Sequence, residues 1–218
     1  MSFSFTKPRF ILCEGDDDKG FLETLIAVHG LPDCQVCHAA ECNPEHIGGK
    51  TGFTRSLRGI EPISGFDKLK AVLIVADNDV QAIAFSDAQK ALSDNGYTPP
   101  AAPGEAGEIK GRAAAILMIP GPDKEGNLEV LCLPALHQKW PLANGCVEAF
   151  LQCTGATAWD KQGSLHKARA RAAIVGYNEP DPYKGIGHLF RNGTLSVLHP
   201  CFDGVAAFLQ GFLAKTGA

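Results

Sequence analysis

The sequence predicts an α/β fold: a mostly parallel sheet with helices on both faces, continued by a helical C-terminal part. Three observations carry this. Short, mainly apolar runs recur at Arg9–Cys13, Ala71–Ala76 and Ala114–Ile119, and each is cut off by polar or Gly/Pro residues. Stretches of helical spacing lie between them, as in chains that alternate strand and helix. Beyond residue 126 the apolar residues follow helical spacing and no strand pattern returns.

Each element has its own warrant. Arg9–Cys13 reads as a buried strand ending at Glu14-Gly15. Asp17 and Asp18 then start a helix that carries Phe21, Leu22, Leu25 and Ile26 up to Gly30. Gln35–Ala39 is a short second strand. Residues 41–54 form a polar, Gly-rich loop that enters a helix near Arg55. Ala71–Ala76 (AVLIVA) is apolar throughout, as a central parallel strand covered on both faces should be. A helix over Val80–Asn95 closes at Gly96. Thr98–Arg112, rich in proline and glycine, reads as a long surface loop. Ala114–Ile119 is the last strand, stopped by Pro120-Gly121-Pro122. Helices are expected over Leu128–Leu136, Cys146–Cys153, Ser164–Val175 and Cys201–Ala214. The last of these shows an apolar stripe of Phe202, Val205, Leu209 and Phe212, which should pack on the body. Residues 1–130 are thus read as the α/β domain and residues 131–218 as a helical extension packed on it.

The 218 residues suffice for one sizeable domain with an extension. No apolar run approaches the roughly 20 residues that cross a bilayer, and Glu14 interrupts the first apolar stretch too early for a secretory signal. The expectation is a cytoplasmic protein with no membrane partner and its eight cysteines reduced. Charge is uneven: residues 1–130 hold 12 Lys/Arg against 19 Asp/Glu, and residues 131–218 hold 8 against 5. An acidic first part beside a mildly basic second suits a metal site next to a surface that meets phosphates. There is no strongly basic arm. Homo-oligomerisation is compatible with the sequence.

Two strands end in acids, Cys13-Glu14-Gly15-Asp16-Asp17-Asp18 and Ala76-Asp77-Asn78-Asp79. Ligands of open parallel sheets sit outside the carboxyl ends of the strands. In extended chain, residues two apart point the same way, so Asp77 and Asp79 can face one ion, and Glu14 joins them if the strands are neighbours. Converging carboxylates call for a hard divalent cation, Mg²⁺ or Mn²⁺. Alternatively, Asp17 or Asp18 only favours a helix N-terminus, and Asp79 only caps the next helix.

These residues resemble the Toprim domain, in which Glu-Gly follows one apolar strand (FILCEGDDDKGFLETL) and Asp-x-Asp follows another (VLIVADND). The segment EGDDD is similar to the start of the Toprim domain in overcoming-lysogenization-defect nucleases, which adds Asp18. The chain looks most like an uncharacterised group of small prokaryotic Toprim-like proteins, through Gly48-Gly49-Lys50 and Gly126-Asn127-Leu128-Glu129. The resemblance covers residues 8–130. It implies a Toprim-like Rossmannoid fold and Mg²⁺-dependent nuclease or related phosphotransferase chemistry on DNA or RNA. It implies Glu14 as general acid/base, and Asp77 and Asp79 as metal ligands with Asp18 and Glu129 on the rim. Gly48, Gly49 and Lys50 would touch a phosphate. A non-catalytic Toprim-fold module that binds nucleic acid or protein remains open, as does a small-molecule phosphatase using Asp77 as nucleophile.

Other signals are weaker. Gly49-Lys50-Thr51 lacks the earlier glycine of a P-loop, since position 44 is proline. Cys34-Gln35-Val36-Cys37-His38 matches haem attachment, and Cys42 and His46 extend it to a zinc-like set. A strand there would send Cys34 and Cys37 to opposite faces. A haloacid-dehalogenase motif would want Thr or Val where Gln81 stands. His166, Lys167, Arg169 and Arg171 decorate one helix and could bind phosphates, though a solvated helix face is the plainer reading; Trp140 and Trp159 read as core or interface residues rather than base-stacking platforms.

Overall fold

The computed structural model describes residues 4–43, 45–109 and 111–216. It shows an α/β chain built on a five-stranded sheet. The strands are β1 (Arg9–Cys13), β2 (Gln35–His38), β3 (Ala71–Asp77), β4 (Gly107–Ile109) and β5 (Arg112–Ile119). The helices are α1 (Asp16–Val28), α2 (Ala39–Cys42), α3 (Gly49–Arg58), α4 (Gln81–Ser93), α5 (Leu128–Lys139), α6 (Ala143–Cys153), α7 (Gln162–Tyr177), α8 (Ile186–Arg191) and α9 (Asp203–Lys215). The strand order is β2-β1-β3-β5-β4, parallel except for β4, which runs antiparallel to β5.

Because strand side chains alternate, the sheet builds two cores. Ile11, Leu73, Val75, Ala115, Leu117 and Ile119 face α1, α5, α8 and α9. Phe10, Leu12, Val72, Ile74, Ala114, Ile116 and Met118 face α3 and α4. All seven residues of β3 are buried, which explains its unbroken apolar text. Cys34 falls in the first core and Cys37 in the second, so the strand does part them.

The expected stripe of α9 packs as read. Phe202, Val205, Leu209 and Phe212 share one buried cluster with β1, β3 and β5. Phe202 also closes a ring triad with Phe21 and Phe190, at centroid distances of 5.2 and 5.5 Å. This joins α1, α8 and α9. A smaller cluster between α6 and α7 sits apart. Among the described residues no helix is long and apolar enough to cross a membrane.

Three expectations change. The segment read as a loop over Thr98–Arg112 contains β4, three residues that begin with a glycine and are too few to show a period. The helix expected near Arg55 begins at Gly49, and a single-turn α2 precedes it inside the presumed loop. The six-residue α8 was not foreseen. It docks tightly on α1, where a Cβ on Gly20 would lie 2.7 Å from the carbonyl oxygen of Gly187. No side chain larger than hydrogen fits at that crossing.

Phe202→Ala should lower unfolding stability by about 3–5 kcal/mol, the usual cost of emptying a packed aromatic site. Urea denaturation would measure it. A change below 1 kcal/mol (roughly the cost of the mildest core trims) would mean that α9 is not part of the cooperative core.

Candidate functional site

The site grows from the carboxyl ends of β1 and β3, which are direct neighbours. After β1 the chain turns through Glu14 and Gly15 into α1, whose first turn is Asp16-Asp17-Asp18. The three aspartates take separate partners. Asp18 folds back so that its Oδ2 accepts the Gly15 N–H at 3.0 Å. Asp17 Oδ1 accepts the N–H of Gly187 at the start of α8, at 2.9 Å. Asp16 pairs with Arg191 at 2.7 Å. Glu14 reaches across to β3, where its Oε1 accepts the Asp77 N–H at 2.9 Å. Asp77 Oδ1 in turn accepts the N–H of Leu128, the first residue of α5, at 3.2 Å.

Two buried asparagines align these parts. Asn78 donates its side-chain amide to the carbonyls of Gly121, Pro122 and Lys124, and its backbone bridges Gly126. That brings the start of α5 against the end of β3. Asn127 caps α5 by accepting the Val130 N–H. Its Nδ2 donates to Asp79 Oδ1 at 3.2 Å and to the Gly163 carbonyl at 3.3 Å.

The result is a cleft of about 490 Å³. Glu14, Asp18, Asp77 and Glu129 line it together, with Lys167 and Arg171 from α7 on the same wall. Asp79 lines the adjoining depression of about 380 Å³ with Lys161 and Ser164, and Lys167 borders both. The N-cap position of α4 is held by Val80, whose side chain makes no capping hydrogen bond. Gly49 lines the cleft, but its N–H is committed to the Glu14 carbonyl at 3.2 Å. Gly48 packs behind it, against that same carbonyl. The side chain of Lys50 lies outside the described residues. Among the described residues, no group of three or more His, Cys, Asp or Glu is arranged to hold a metal ion as it stands. Glu14, Asp18 and Asp77 each give one carboxylate oxygen to a backbone N–H.

Burial and crowding reshape the acids. Burial pushes the Asp18 carboxyl up to about 7, with the charge of Glu14 adding to it and the Gly15 N–H opposing it. Asp77 is raised well above the carboxylate range by burial, then by Asp18, Glu14 and Asp79. Burial also raises Glu129, against the pull of Lys167. Burial works to lower Lys167, but Glu129, Asp77, Asp79 and Glu14 outweigh it and raise the ammonium. The cleft is therefore a set of like charges with too few cations.

Lys167 and Arg171, for which a solvated face was the plainer reading, line the cleft. They are four apart on one helix, a pattern that looks the same whether the face meets water or a site. Asn78, Asn127 and Gly187 carried no signal beyond the cap-like position of Asn127 before an apolar run.

Compared with known proteins, residues 8–213 match the family described as "Protein of unknown function (DUF3226)". The chain belongs to this family. The DUF3226 match runs through the sheet and the C-terminal helices alike, so the family unit includes α7 with its cleft-lining cations. No curated protein and no solved structure matches the chain significantly.

Asp18 makes stability fall with pH. Its carboxyl binds a proton up to about 7 in the fold against 3.8 ordinarily. Across that window the folded state holds more protons than the unfolded one, so stability drops as pH rises. Asp18→Asn keeps an oxygen for the Gly15 N–H and cannot ionise. In metal-free buffer, thermal melts should show the variant more stable than the parent at neutral pH, with the gap closing in acid. Parallel Tm–pH curves would contradict the assignment.

Proposed function

We propose that this chain is a Mg²⁺-dependent nuclease, or a related phosphotransferase, acting on a nucleic-acid backbone. The observation that carries the reading is the gathering of Glu14, Asp18, Asp77 and Glu129 in one cleft, at the carboxyl edge of a parallel sheet, with Lys167 beside them. All the candidate donors are carboxylate oxygens, the donor type that Mg²⁺ and Mn²⁺ prefer. Their mutual repulsion is what such an ion relieves, so the donor set fits by chemistry, although side chains must exchange backbone hydrogen bonds for it.

Asp77, with Asp18 beside it, would hold the ion, with Asp79 and Glu129 at its margins. The bound ion would supply positive charge to phosphoryl oxygens. Glu14 is the group placed to take and return a proton: it reaches in from β1 while its Oε1 rests on the Asp77 N–H. Lys167, held among four acids, would offset charge on a non-bridging phosphate oxygen. Gly48, Gly49 and Lys50 would border the phosphate, with the Gly49 amide engaged by Glu14 rather than free. The phosphatase alternative finds less support. Asp77 is buried and its Oδ1 is bonded to the Leu128 N–H, and position 81, where the haloacid-dehalogenase motif wants Thr or Val, is Gln.

The test is a cleavage assay on single- and double-stranded DNA and RNA with Mg²⁺ or Mn²⁺. Glu14→Gln should cut turnover by roughly 10²–10⁴, the usual worth of a general acid/base. Lys167→Ala should also slow cleavage. Cleavage by Glu14→Gln at the parental rate would refute its role, and no metal-dependent cleavage of any form would refute the enzyme.

A further inference from the structure

We infer that the cleft takes a single nucleic-acid strand whose bases stack on two exposed rings, Tyr183 and Trp159. This deepens the phosphodiester reading above and rests on it. Tyr183 is 87% exposed and Trp159 46% exposed, uncommon for rings of this size. Trp140, by contrast, packs on the core and stacks with Tyr177 at 6.3 Å.

Both exposed rings lie within two residues, along the chain, of residues that line the candidate site. Tyr183 lies in the link from α7 to α8, two residues before Gly185, which lines the cleft. That link is tied down on either side of the ring. Asn178 donates its side-chain amide to the Asp181 carbonyl at 2.9 Å, and Asp181 meets His188 at 3.1 Å. Arg171, itself a cleft residue, donates to the Lys184 carbonyl at 3.1 Å. The backbone is held and the ring is left outside. Trp159 follows a short 3₁₀ turn, and its carbonyl accepts from Gln162 at 3.3 Å. The next two residues, Asp160 and Lys161, line the depression that contains Asp79. Lys167 borders both hollows, and each ring belongs to a segment that supplies lining residues to one of them.

Exposed rings interleaved with Lys161, Lys167, Arg171 and Lys184 are what a single strand needs. Cations follow the backbone, and ring faces receive bases. In a duplex those base faces are already covered by their neighbours, so the rings favour a strand with open bases. A protein partner would want one continuous apolar patch. Here the rings sit on separate loops beside separate hollows.

The experiment measures binding of fluorescent oligothymidylate and of a duplex, with Ca²⁺ replacing Mg²⁺ to limit cutting. The parent should prefer the single strand and show quenched tryptophan emission on binding, and Trp159→Phe should abolish most of the quenching. Tyr183→Ala and Trp159→Ala should each weaken oligothymidylate binding by roughly 5- to 100-fold, the range for losing one stacked base. Tyr183→Phe keeps the ring face and should retain affinity, which a merely structural role for the hydroxyl would not predict. Equal affinity for single strand and duplex, or unchanged binding by both alanine variants, would overturn the inference. Mn²⁺ uptake by the parent reports on the metal site alone. Success there with no strand preference sinks only the present inference. Ring-dependent strand binding without Mn²⁺ uptake sinks the metal reading and leaves the strand-binding surface.

Discussion

Several carboxylates share one partly dry hollow, and that repulsion is the constraint around which the rest is arranged. Removing a carboxylate from water is costly, and placing another beside it adds to the cost. The fold answers with backbone donors. Glu14 rests on the Asp77 N–H, Asp18 on the Gly15 N–H, and Asp77 on the first N–H of α5, at the positive end of that helix. What these donors leave uncompensated appears as raised carboxyl pKa values at Asp18 and Asp77.

The C-terminal helices belong to the same solution. α7 brings Lys167 and Arg171 to the cleft wall. α8 offers the Gly187 N–H to Asp17 and Arg191 to Asp16. These bonds take two of the three acids of the first turn of α1 and leave Asp18 turned toward Gly15. The contact is possible because Gly20 and Gly187 let the two helices approach closely. Packing and electrostatics are thus coupled: the triad of Phe21, Phe190 and Phe202 that anchors α8 also positions the groups that quiet Asp16 and Asp17.

Legibility in the sequence followed the length and purity of the signal. β1, β3 and β5 were readable because two-sided burial demands unbroken apolar text. β4 was not, because three residues, one of them glycine, carry no period. Glu14 and Asp77 could be placed since each closes such a strand, and the neighbouring of β1 and β3 brings them into contact. Asp79 was harder. The alternation rule put it beside Asp77, but Asn127 draws it toward the next hollow. Lys167 could be named as a possible phosphate binder but not placed in the cleft, because a cation on a helix face reads alike in water and in a site. The partners of Asp16 and Asp17 lie some 170 residues away and leave no local trace.

The central claim is that surplus negative charge in this cleft is there for a divalent cation. Calorimetric titration with Mn²⁺ near neutral pH, in buffers of different ionisation enthalpy, tests it most directly. Ligands must lose their protons to bind a metal. Asp18 and Asp77 hold theirs unusually high, so the account predicts uptake of Mn²⁺ with release of protons, tighter binding as pH rises, and a sharp loss of affinity in Asp77→Asn. Absence of binding, or binding that Asp77→Asn leaves unchanged, would contradict it.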